Sequence, residues 1–332
     1  MTAHANGGAF RDLFEPHRRS ITLHCYRMLG SLQDAEELAQ EALLRAWQRR
    51  AELRTGNAHK AWLYQIATNA CLDQLQKRGR RRRALPHLNG PPSATPQMGA
   101  PADEQLWIEP APDLLLEAAG DTTDQPDARA ARRESIGLAF IAALQLLSPK
   151  QRATLLLVDV LGWNPQETAA LLESSVASVN SLLQRARRSV EAARVDRVRP
   201  AISSSDSVLL SRFINAWESG DLAAFTALLT DDAVFTMPPQ PEWFVGREAI
   251  GQFFGAIWAA LPGRRRLLPL AANGGLGVAV YNQITAPNAS YKAMGITLVT
   301  FQGDQVSQIT RFGIPKLFPL FGLPLELPSN TP

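Results

Sequence analysis

Cysteine and histidine are scarce in this sequence of 332 residues. The two cysteines, Cys25 and Cys71, are far apart, and neither has a second Cys or a His at the spacing of a metal site. A disulfide framework is therefore excluded, and neither a metal centre nor another cofactor is predicted. We expect both thiols to behave as small buried apolar groups in a reducing cytoplasm.

Long apolar runs are also absent. No segment approaches the roughly 20 apolar residues that a transmembrane helix needs. The first residues lack a signal-peptide pattern and read MTAHANGGAF. The composition, 45% hydrophobic and 20% charged, is that of a soluble globular protein, and the length predicts two or three domains. We therefore expect a cytoplasmic location.

The net charge is only +3, but the charges are unevenly distributed. Residues 60–83 contain seven Lys or Arg and one Asp, whereas residues 84–128 contain eight Asp or Glu and no Lys or Arg. Such asymmetry indicates a nucleic-acid surface beside an acidic linker.

Residues 148–188 carry the most informative motif. Ser148 and Asn164 are each followed by proline and predict two helix starts, and Gly162 ends the first helix. After a turn at Glu173, Ser175 is expected to cap a third helix. Two helices joined by a short turn form a helix-turn-helix, whose second helix fits the major groove of DNA. A plain three-helix bundle with a solvated basic end fits the same pattern.

The third of these helices is predicted to be amphipathic. Helical spacing places one apolar set inward: Val176, Val179, Leu182, Leu183 and Ala186. It leaves a polar set facing outward: Ser178, Asn180, Ser181, Gln184 and Arg185. Residues 175–199 contain six Arg against two acidic residues, so DNA phosphates are the expected counter-charge.

Residues 8–83 are predicted to form a helical domain. A first helix over residues 10–29 ends at Gly30, and a second over residues 34–50 has clearly separated apolar and polar faces. A third begins near Lys60 and combines Trp62 and Tyr64 with a basic end, which suits single-stranded DNA. The alternative is that both aromatic residues belong to the core and the basic end is solvated.

Residues 84–134 form a segment rich in proline, which prevents a continuous helix, so we expect it to be flexible or extended. Apolar residues at 106–110 and 114–116 interrupt it. Such an island in a polar segment is expected to dock on another surface, which includes folding back on one of the domains.

Residues 204–318 begin with helices and continue with alternating strand patterns, which predicts an α+β fold with a curved antiparallel sheet. All five histidines lie outside this domain, and Asp232 lies at a helix-to-strand junction, so we predict no proton carrier there. The tail, residues 319–332, is apolar and needs a partner surface. Six residues are predicted to line a pocket or, alternatively, to form the core: Phe213, Trp217, Phe235, Met237, Trp243 and Tyr281.

Four collinear segments resemble, in order and spacing, the bacterial sigma factors of the extracytoplasmic-function group. They read DAEELAQEALLRAW, AWLYQIATNACLDQLQKRGRR, LSPKQRATLLLVDVLGW and ETAALLESSVASVNSLLQRAR. Two further segments look like the SnoaL-like branch of the nuclear-transport-factor-2 fold, FINAWESGDLAAFTALLTDDAVFTMPP and VGREAIGQFF. Sigma factors with an added SnoaL-like domain are a recognised subgroup of that family.

The resemblance implies a multidomain chain with two all-α sigma domains followed by an α+β SnoaL-like cone. Region 2 covers residues 8–83, the linker residues 84–134, and region 4, with the helix-turn-helix, residues 135–199. The SnoaL-like domain covers residues 204–318. The implied partners are core RNA polymerase, bound through its β′ clamp helices and its β flap, and the −10 and −35 elements of promoter DNA.

The resemblance also assigns roles to individual residues. Those that contact polymerase are Glu37, Gln40, Glu41 and Leu44. Those that contact the −10 element are Arg54, Thr55, Asn57, Lys60, Trp62 and Tyr64. Those that contact the −35 element are Ser175, Ser178, Asn180, Ser181, Gln184 and Arg185. We predict that Arg187 and Arg188 also bind DNA, Arg187 through a phosphate.

Two departures from the family bear on DNA reading. Many relatives have basic residues where this chain has Asn180 and Leu182, and a glycine near Glu173, so base contacts here are expected to rely on Asn, Ser and Gln. The predicted function is a non-enzymatic sigma factor whose SnoaL-like domain modulates activity in cis and has a possible small-molecule ligand. The alternative is a SnoaL-like isomerase, hydrolase or ligand-sensing domain fused to a DNA-binding module.

Overall fold

The structure is a computed structural model that describes residues 14–49, 59–79, 81–88, 90–95, 99, 106–117, 137–193, 204–283 and 289–329. The chain divides into two compact units. The first contains Met1–Arg83 and Asp113–Arg199, and the second contains Ala84–Pro112 and Pro200–Pro332. Among the described helices, none combines the length and hydropathy of a membrane span.

The first unit opens with three helices that follow a short 3-10 turn, Glu15–His17. Gly30 ends the first helix with a φ of 69°, and its N–H donates to the Tyr26 carbonyl over 2.7 Å. Ser31 caps the second helix, because its Oγ accepts from the Asp34 N–H. The helices are α1 (Arg18–Leu29), α2 (Leu32–Gln48) and α3 (His59–Arg78).

Small residues on α2 allow it to pack closely on its neighbours. The positions predicted to face inward are mostly buried: Ala35, Ala39, Ala42, Leu43 and Ala46. Leu38 and Trp47 at the edges of this face are half-buried. The amphipathic prediction for α2 is therefore confirmed, with an added buried residue, Leu32, at its start.

The rest of the first unit contains the helix-turn-helix. Ser148 and Asn164 cap their helices as predicted, and each forms a capping box, Ser148 with Gln151 and Asn164 with Glu167. The helix predicted to reach residue 161 instead widens into a π-helical turn, Leu156–Val160, before Gly162. The helices are α4 (Leu114–Glu117), α5 (Leu138–Leu146), α6 (Pro149–Leu155), α7 (Pro165–Leu171) and α8 (Val176–Ala193).

The second unit is α+β, as expected. Its helices are α9 (Ser204–Ser219), α10 (Leu222–Ala227) and α11 (Arg247–Ala260). A short ladder pairs β1 (Arg83–Ala84) with β2 (Leu106–Trp107). The large sheet contains β3 (Leu229–Thr236), β4 (Trp243–Val245), β5 (Arg264–Ala272), β6 (Gly275–Gln283), β7 (Tyr291–Gln302), β8 (Gln305–Phe312) and β9 (Glu326–Leu327).

The strand order of this sheet is β4-β3-β8-β7-β6-β5, and β9 pairs with β7. All pairs are antiparallel except β3 with β8, which run parallel. The sheet was expected to be antiparallel throughout, so this pair is a correction. It arises because α11 lies between β4 and the later meander, which lets β8 return beside β3.

Candidate polymerase and nucleic-acid interface

The four residues assigned to polymerase binding form one exposed stripe on α2. Glu37, Gln40, Glu41 and Leu44 are all exposed, and Leu44 leaves 53% of its surface in solvent. Their spacing places them on the face opposite the buried alanines. Glu41 and Arg45 form an exposed ion pair with 2.6 Å between Oε1 and Nη2. An exposed leucine among acidic and amide groups is suited to a protein partner.

The residues assigned to the −10 element are only partly brought together. Arg54, Thr55 and Asn57 lie outside the described residues. Lys60 is exposed and Trp62 is half-buried on α3, so both are open to a partner.

Tyr64 differs from Lys60 and Trp62, because it is only 2% exposed. Its ring meets His24 edge-on at 5.2 Å and Trp163 at 6.1 Å, between ring centroids. Its surroundings fit the alternative of a core residue, and its ring offers no free face to a base in this arrangement.

His24, which sequence reasoning did not single out, is fully enclosed between α1 and α3. Its Nε2 lies 2.9 Å from Thr68 Oγ1. Burial, together with the nearby Arg27 charge, lowers the pKa of His24 to about 3, so the imidazole is neutral at physiological pH. Burial also lowers the pKa of Arg27 to about 10.

The outward face of α8 is fully available. Every residue assigned to the −35 element is exposed, while Val179, Leu183, Ala186 and Val190 are buried beneath them. Ser175 Oγ accepts from the Ser178 N–H over 3.2 Å, so that hydroxyl caps the helix.

Arg187 is not a free charge. It makes a two-pronged ion pair with Asp159, at 3.0 Å from Nε and 2.6 Å from Nη2. A phosphate contact by Arg187 would have to compete with this carboxylate. Arg188 is exposed on the neighbouring position.

A basic cavity of about 500 Å³ lies where the end of α3 and the segment after it meet α5 and α6. Arg78 and Arg83 both bind Asp34, the latter over 2.6 Å between Nη2 and Oδ2. Partial burial pushes the pKa of Asp34 up, but Arg83 and Arg78 outweigh it, and the net shift is downward. The basic end of α3, predicted as a DNA contact or a solvated end, therefore partly folds back on α2.

Arg152, on α6, was also missed by sequence reasoning. It is 3% exposed and donates to the Met28 and Leu147 carbonyls and to Gln145 Oε1, the last over 2.6 Å. A lone arginine on the otherwise apolar face of a predicted helix was the available signal.

The two cysteines pack against each other between α1 and α3. Both are fully buried and reduced. Burial and contact with Cys25 raise the pKa of the Cys71 thiol, which makes it a poor nucleophile. They act as small core residues, as expected.

The six candidate pocket residues of the SnoaL-like region do not share one surface. Four of them, Phe213, Trp217, Phe235 and Met237, are buried in one apolar cluster. Trp243 instead faces the linker, where its Nε1 donates to the Gly90 carbonyl over 3.0 Å and its ring meets His87. Tyr281 faces the tail: its hydroxyl donates to the Pro324 carbonyl and its ring packs on Phe318.

The described part of the linker lies against the sheet, so in those residues the segment is docked rather than flexible, and its strands β1 and β2 are extended, which was the other expectation. Ser93 donates its N–H to the Trp243 carbonyl over 2.8 Å. Ala111 and Asn273 exchange two hydrogen bonds, of 2.9 and 3.0 Å. Trp107 and Ile108 of the apolar island are buried, so the island docks as predicted.

Comparison with known proteins agrees with this domain order. Residues 13–81 match the model of Sigma-70 region 2, residues 137–190 that of Sigma-70, region 4, and residues 210–309 that of a SnoaL-like domain. The chain is 41% identical over 325 residues to the ECF RNA polymerase sigma factor SigG of Mycobacterium tuberculosis, covering 96% of this chain and 85% of SigG.

A second relative is the ECF RNA polymerase sigma factor SigJ of the same organism, with 27% identity over 328 residues and 94% of each chain covered. The crystal structure of SigJ has the same fold, with a TM-score of 0.58, 23% identity, and 94% of this chain and 98% of that chain covered. The chain therefore belongs to the extracytoplasmic-function sigma factors of RNA polymerase, in the form that carries a SnoaL-like domain after region 4.

Proposed function

We propose that this sigma factor docks on the β′ clamp helices through the α2 stripe and reads the −35 element through α8, with region 4 also contacting the β flap. The observation that carries the proposal is the α8 surface, where eight assigned residues are exposed over a buried apolar row. Helix N-terminal residues in a major groove reach base edges, and the following arginines reach phosphates. Lys60 and Trp62 remain the described candidates for the −10 element.

Base reading should depend on amide side chains. Asn180 and Gln184 are one turn apart on the exposed face of α8, and amides pair with adenine through two hydrogen bonds. The chain lacks an arginine at position 180, so a guanine fork is not available there.

We infer that the SnoaL-like domain acts on initiation through the linker and without chemistry. Within the second unit, residues 90, 93 and 111 are hydrogen-bonded to Trp243 and Asn273. A docked linker has less reach than a free one of the same length, so docking limits how far regions 2 and 4 can separate on polymerase. Asp231 and Asp232 are exposed, and Glu218 is held by Arg266 and the Leu267 N–H, which supports no catalytic role.

The test is promoter-dependent transcription with the purified full chain and core polymerase. Leu44→Ala with Glu41→Ala should reduce initiation at every promoter, whereas Asn180→Ala should reduce it only at promoters that match the −35 element. Ser211→Ala, an exposed change on α9, is the control. Initiation that still requires a different sigma factor would refute the proposal.

Docking of the linker is tested separately with Trp243→Ala, which removes both the bond to Gly90 and the ring contact with His87. We expect promoter output to change in the same assay. Val245→Ala, on the same strand and 43% exposed, should leave it unchanged. Equal output from both variants would mean that the linker contact has no regulatory role.

A further inference from the structure

Arg187 differs from the other arginines on the exposed face of α8, because a carboxylate holds it. Asp159 accepts two hydrogen bonds from its guanidinium, over 3.0 Å from Nε and 2.6 Å from Nη2. In the described part of the chain, Arg185 and Arg188 have no such partner. The side chain of Arg187 is 58% exposed and that of Asp159 is 30% exposed, so the pair lies at the surface and is open to DNA.

Asp159 reaches Arg187 from an unusual backbone segment, the π-helical turn Leu156–Val160. The Leu161 N–H donates to the Leu156 carbonyl, five residues earlier, over 3.0 Å. A π turn contains more residues than an α turn, and it therefore changes the direction in which its side chains point. Leu156 is buried, whereas Asp159 is exposed. The turn thus presents a carboxylate beside a helix that comes later in the chain.

Arg187 lies on the side of α8 that is proposed to read DNA. It follows Asn180 by seven residues, close to two helical turns, so the two side chains lie on one stripe of the helix. Two turns span about 10 Å, which is comparable with the width of the major groove. When Asn180 is at the base edges, Arg187 is therefore near the phosphates that border the groove.

A phosphate would have to displace Asp159 in order to bind Arg187 through its fork. Nε and Nη2 form a side of the guanidinium that makes paired hydrogen bonds with carboxylate or phosphate, and Asp159 occupies both atoms. The carboxylate also repels any phosphate that approaches the same place. Asp159 therefore opposes phosphate binding at this position in two ways.

We propose that Asp159 is a positioning residue that withholds Arg187 from DNA phosphates and so lowers the affinity of α8 for DNA of any sequence. This inference rests on the proposed contact of α8 with DNA and adds a residue that opposes it. Non-promoter DNA offers a very large number of competing sites. A weaker sequence-independent affinity leaves more of the sigma factor available to core polymerase.

The competing explanation is that the ion pair only fastens α8 to the π-helical turn. An exposed ion pair contributes little to stability, which disfavours a purely structural role. The two explanations also predict opposite changes in DNA binding. Without Asp159, a loosened α8 would bind DNA more weakly, whereas a released Arg187 would bind it more tightly.

Binding of the full chain to a duplex of arbitrary sequence, followed by fluorescence anisotropy at several salt concentrations, tests the proposal. Asp159→Asn should tighten binding and steepen the dependence of log affinity on log salt by about 0.9, for one phosphate gained. The gain in affinity should thus be about 3.5-fold larger at about 50 mM salt than at about 200 mM. Asp159→Glu keeps the carboxylate and should behave like the natural chain. Glu173→Gln removes an exposed carboxylate that no described arginine binds, and should leave the salt slope unchanged.

The double variant D159N/R187Q identifies the group through which Asp159 acts. Its salt slope should equal that of R187Q alone, because no arginine is left to release. Three results would overturn the proposal: D159N that binds no more tightly than the natural chain, a slope that steepens equally in Glu173→Gln, or a slope gain that persists in the double variant. A lower denaturant midpoint of D159N together with weaker binding would assign the pair to the fastening role. Failure of the proposed function has a different signature, since it would abolish the preference of the natural chain for a matched promoter fragment.

Discussion

The two units of this chain are stabilised in different ways. In the first unit, His24 and Arg152 are buried where helices meet, and both hydrogen-bond across the contact. In the second unit, the core is a cluster of aromatic rings, in which Phe225 lies 4.6 Å from Phe254 between ring centroids. The stability of the first unit should therefore depend on pH, whereas that of the second should respond mainly to the loss of packed volume.

The difference also bears on function. Under the proposed promoter contacts, region 2 and region 4 each bind a separate DNA element, and polar contacts between helices of the first unit can be exchanged for water or for a partner at modest cost. An aromatic core offers no such exchange, so the SnoaL-like domain is suited to be a stable body on which the linker docks. Four predictions test this comparison.

The largest effect is expected in the aromatic core. Phe225→Ala removes a fully buried ring that contacts four others, and should lower the free energy of unfolding of the second unit by about 3–5 kcal/mol. Calorimetry of the full chain is the measurement. Val208→Ala, 62% exposed on α9, is the control and should change it little. A loss below about 1 kcal/mol would show that the ring cluster is loosely packed.

The next effect concerns pH and the first unit. Because the pKa of His24 is lowered to about 3 in the folded state, the unfolded chain takes up the proton first as pH falls below about 6.5. His24 stabilisation is thus complete above that pH and decreases toward pH 3, by about 3 kcal/mol at pH 4. His24→Gln keeps an amide near Thr68 and should flatten this dependence.

Asp34 provides an internal check on the same pH titration. Arg83 and Arg78 hold its pKa below the ordinary value, so its contribution is present above about pH 4 and is lost only at more acidic pH. Asp34 therefore contributes little between pH 7 and pH 4. The pKa values of His17 and Glu36 are also shifted in this unit, so His24 is isolated by the difference between the natural chain and His24→Gln in denaturant midpoints over that range, because both chains share the other two groups. An unchanged pH dependence in His24→Gln would contradict the assignment.

Smaller effects are expected on the DNA surface, where the fold should not change. Asn180→Ala and Gln184→Ala should each lose about 1–3 kcal/mol of base discrimination. Arg188→Ala should instead weaken binding to all sequences and reduce the salt slope by roughly 0.9. Arg187→Ala should weaken binding in the same direction but by less, because Asp159 already neutralises the charge of Arg187.

Binding of the four variants to matched and scrambled promoter fragments at several salt concentrations distinguishes these outcomes. Equal loss of specificity in all four would contradict the division into base-reading amides and phosphate-binding arginines.

The helical faces were predictable from the sequence because they follow periodicity. The α2 stripe and the α8 face can each be placed from a 3.6-residue repeat of apolar residues and a residue that caps the helix. The caps at Ser148 and Asn164 both formed as those residue types predict. The family resemblance then predicts which partner each of these faces binds.

Contacts between distant segments were not predictable in the same way. Nothing local marks Arg152 as the partner of the Met28 carbonyl, 124 residues earlier, or Asp34 as the partner of Arg83. The docking of the linker was not predictable from its prolines, because proline indicates only that a segment is not helical. The linker is held instead by hydrogen bonds to Trp243 and Asn273 of the second unit. The parallel pairing of the late strand β8 with the early strand β3 likewise depends on the order of strands in the sheet. The alternation of apolar and polar residues along a strand does not encode that order.

The smallest effect is expected at the turn of the helix-turn-helix, where Glu173 has a φ of 48°. A non-glycine residue in this left-handed conformation costs about 1–2 kcal/mol, and glycine avoids that cost. Glycine also makes the unfolded chain more flexible, which lowers the free energy of unfolding by up to about 1 kcal/mol. Glu173→Gly should therefore raise the free energy of unfolding of the first unit by about 0.5 kcal/mol.

Glu173→Ala is the matched control for that change. It removes the same exposed carboxylate but keeps a Cβ in the strained conformation, so its stability should stay within about 0.3 kcal/mol of the natural chain. Both variants remove a negative charge next to the DNA face and should raise DNA affinity equally. Chemical denaturation combined with DNA binding separates the two effects: a gain in stability that alanine shares would assign it to charge, whereas a gain confined to glycine assigns it to the backbone of the turn.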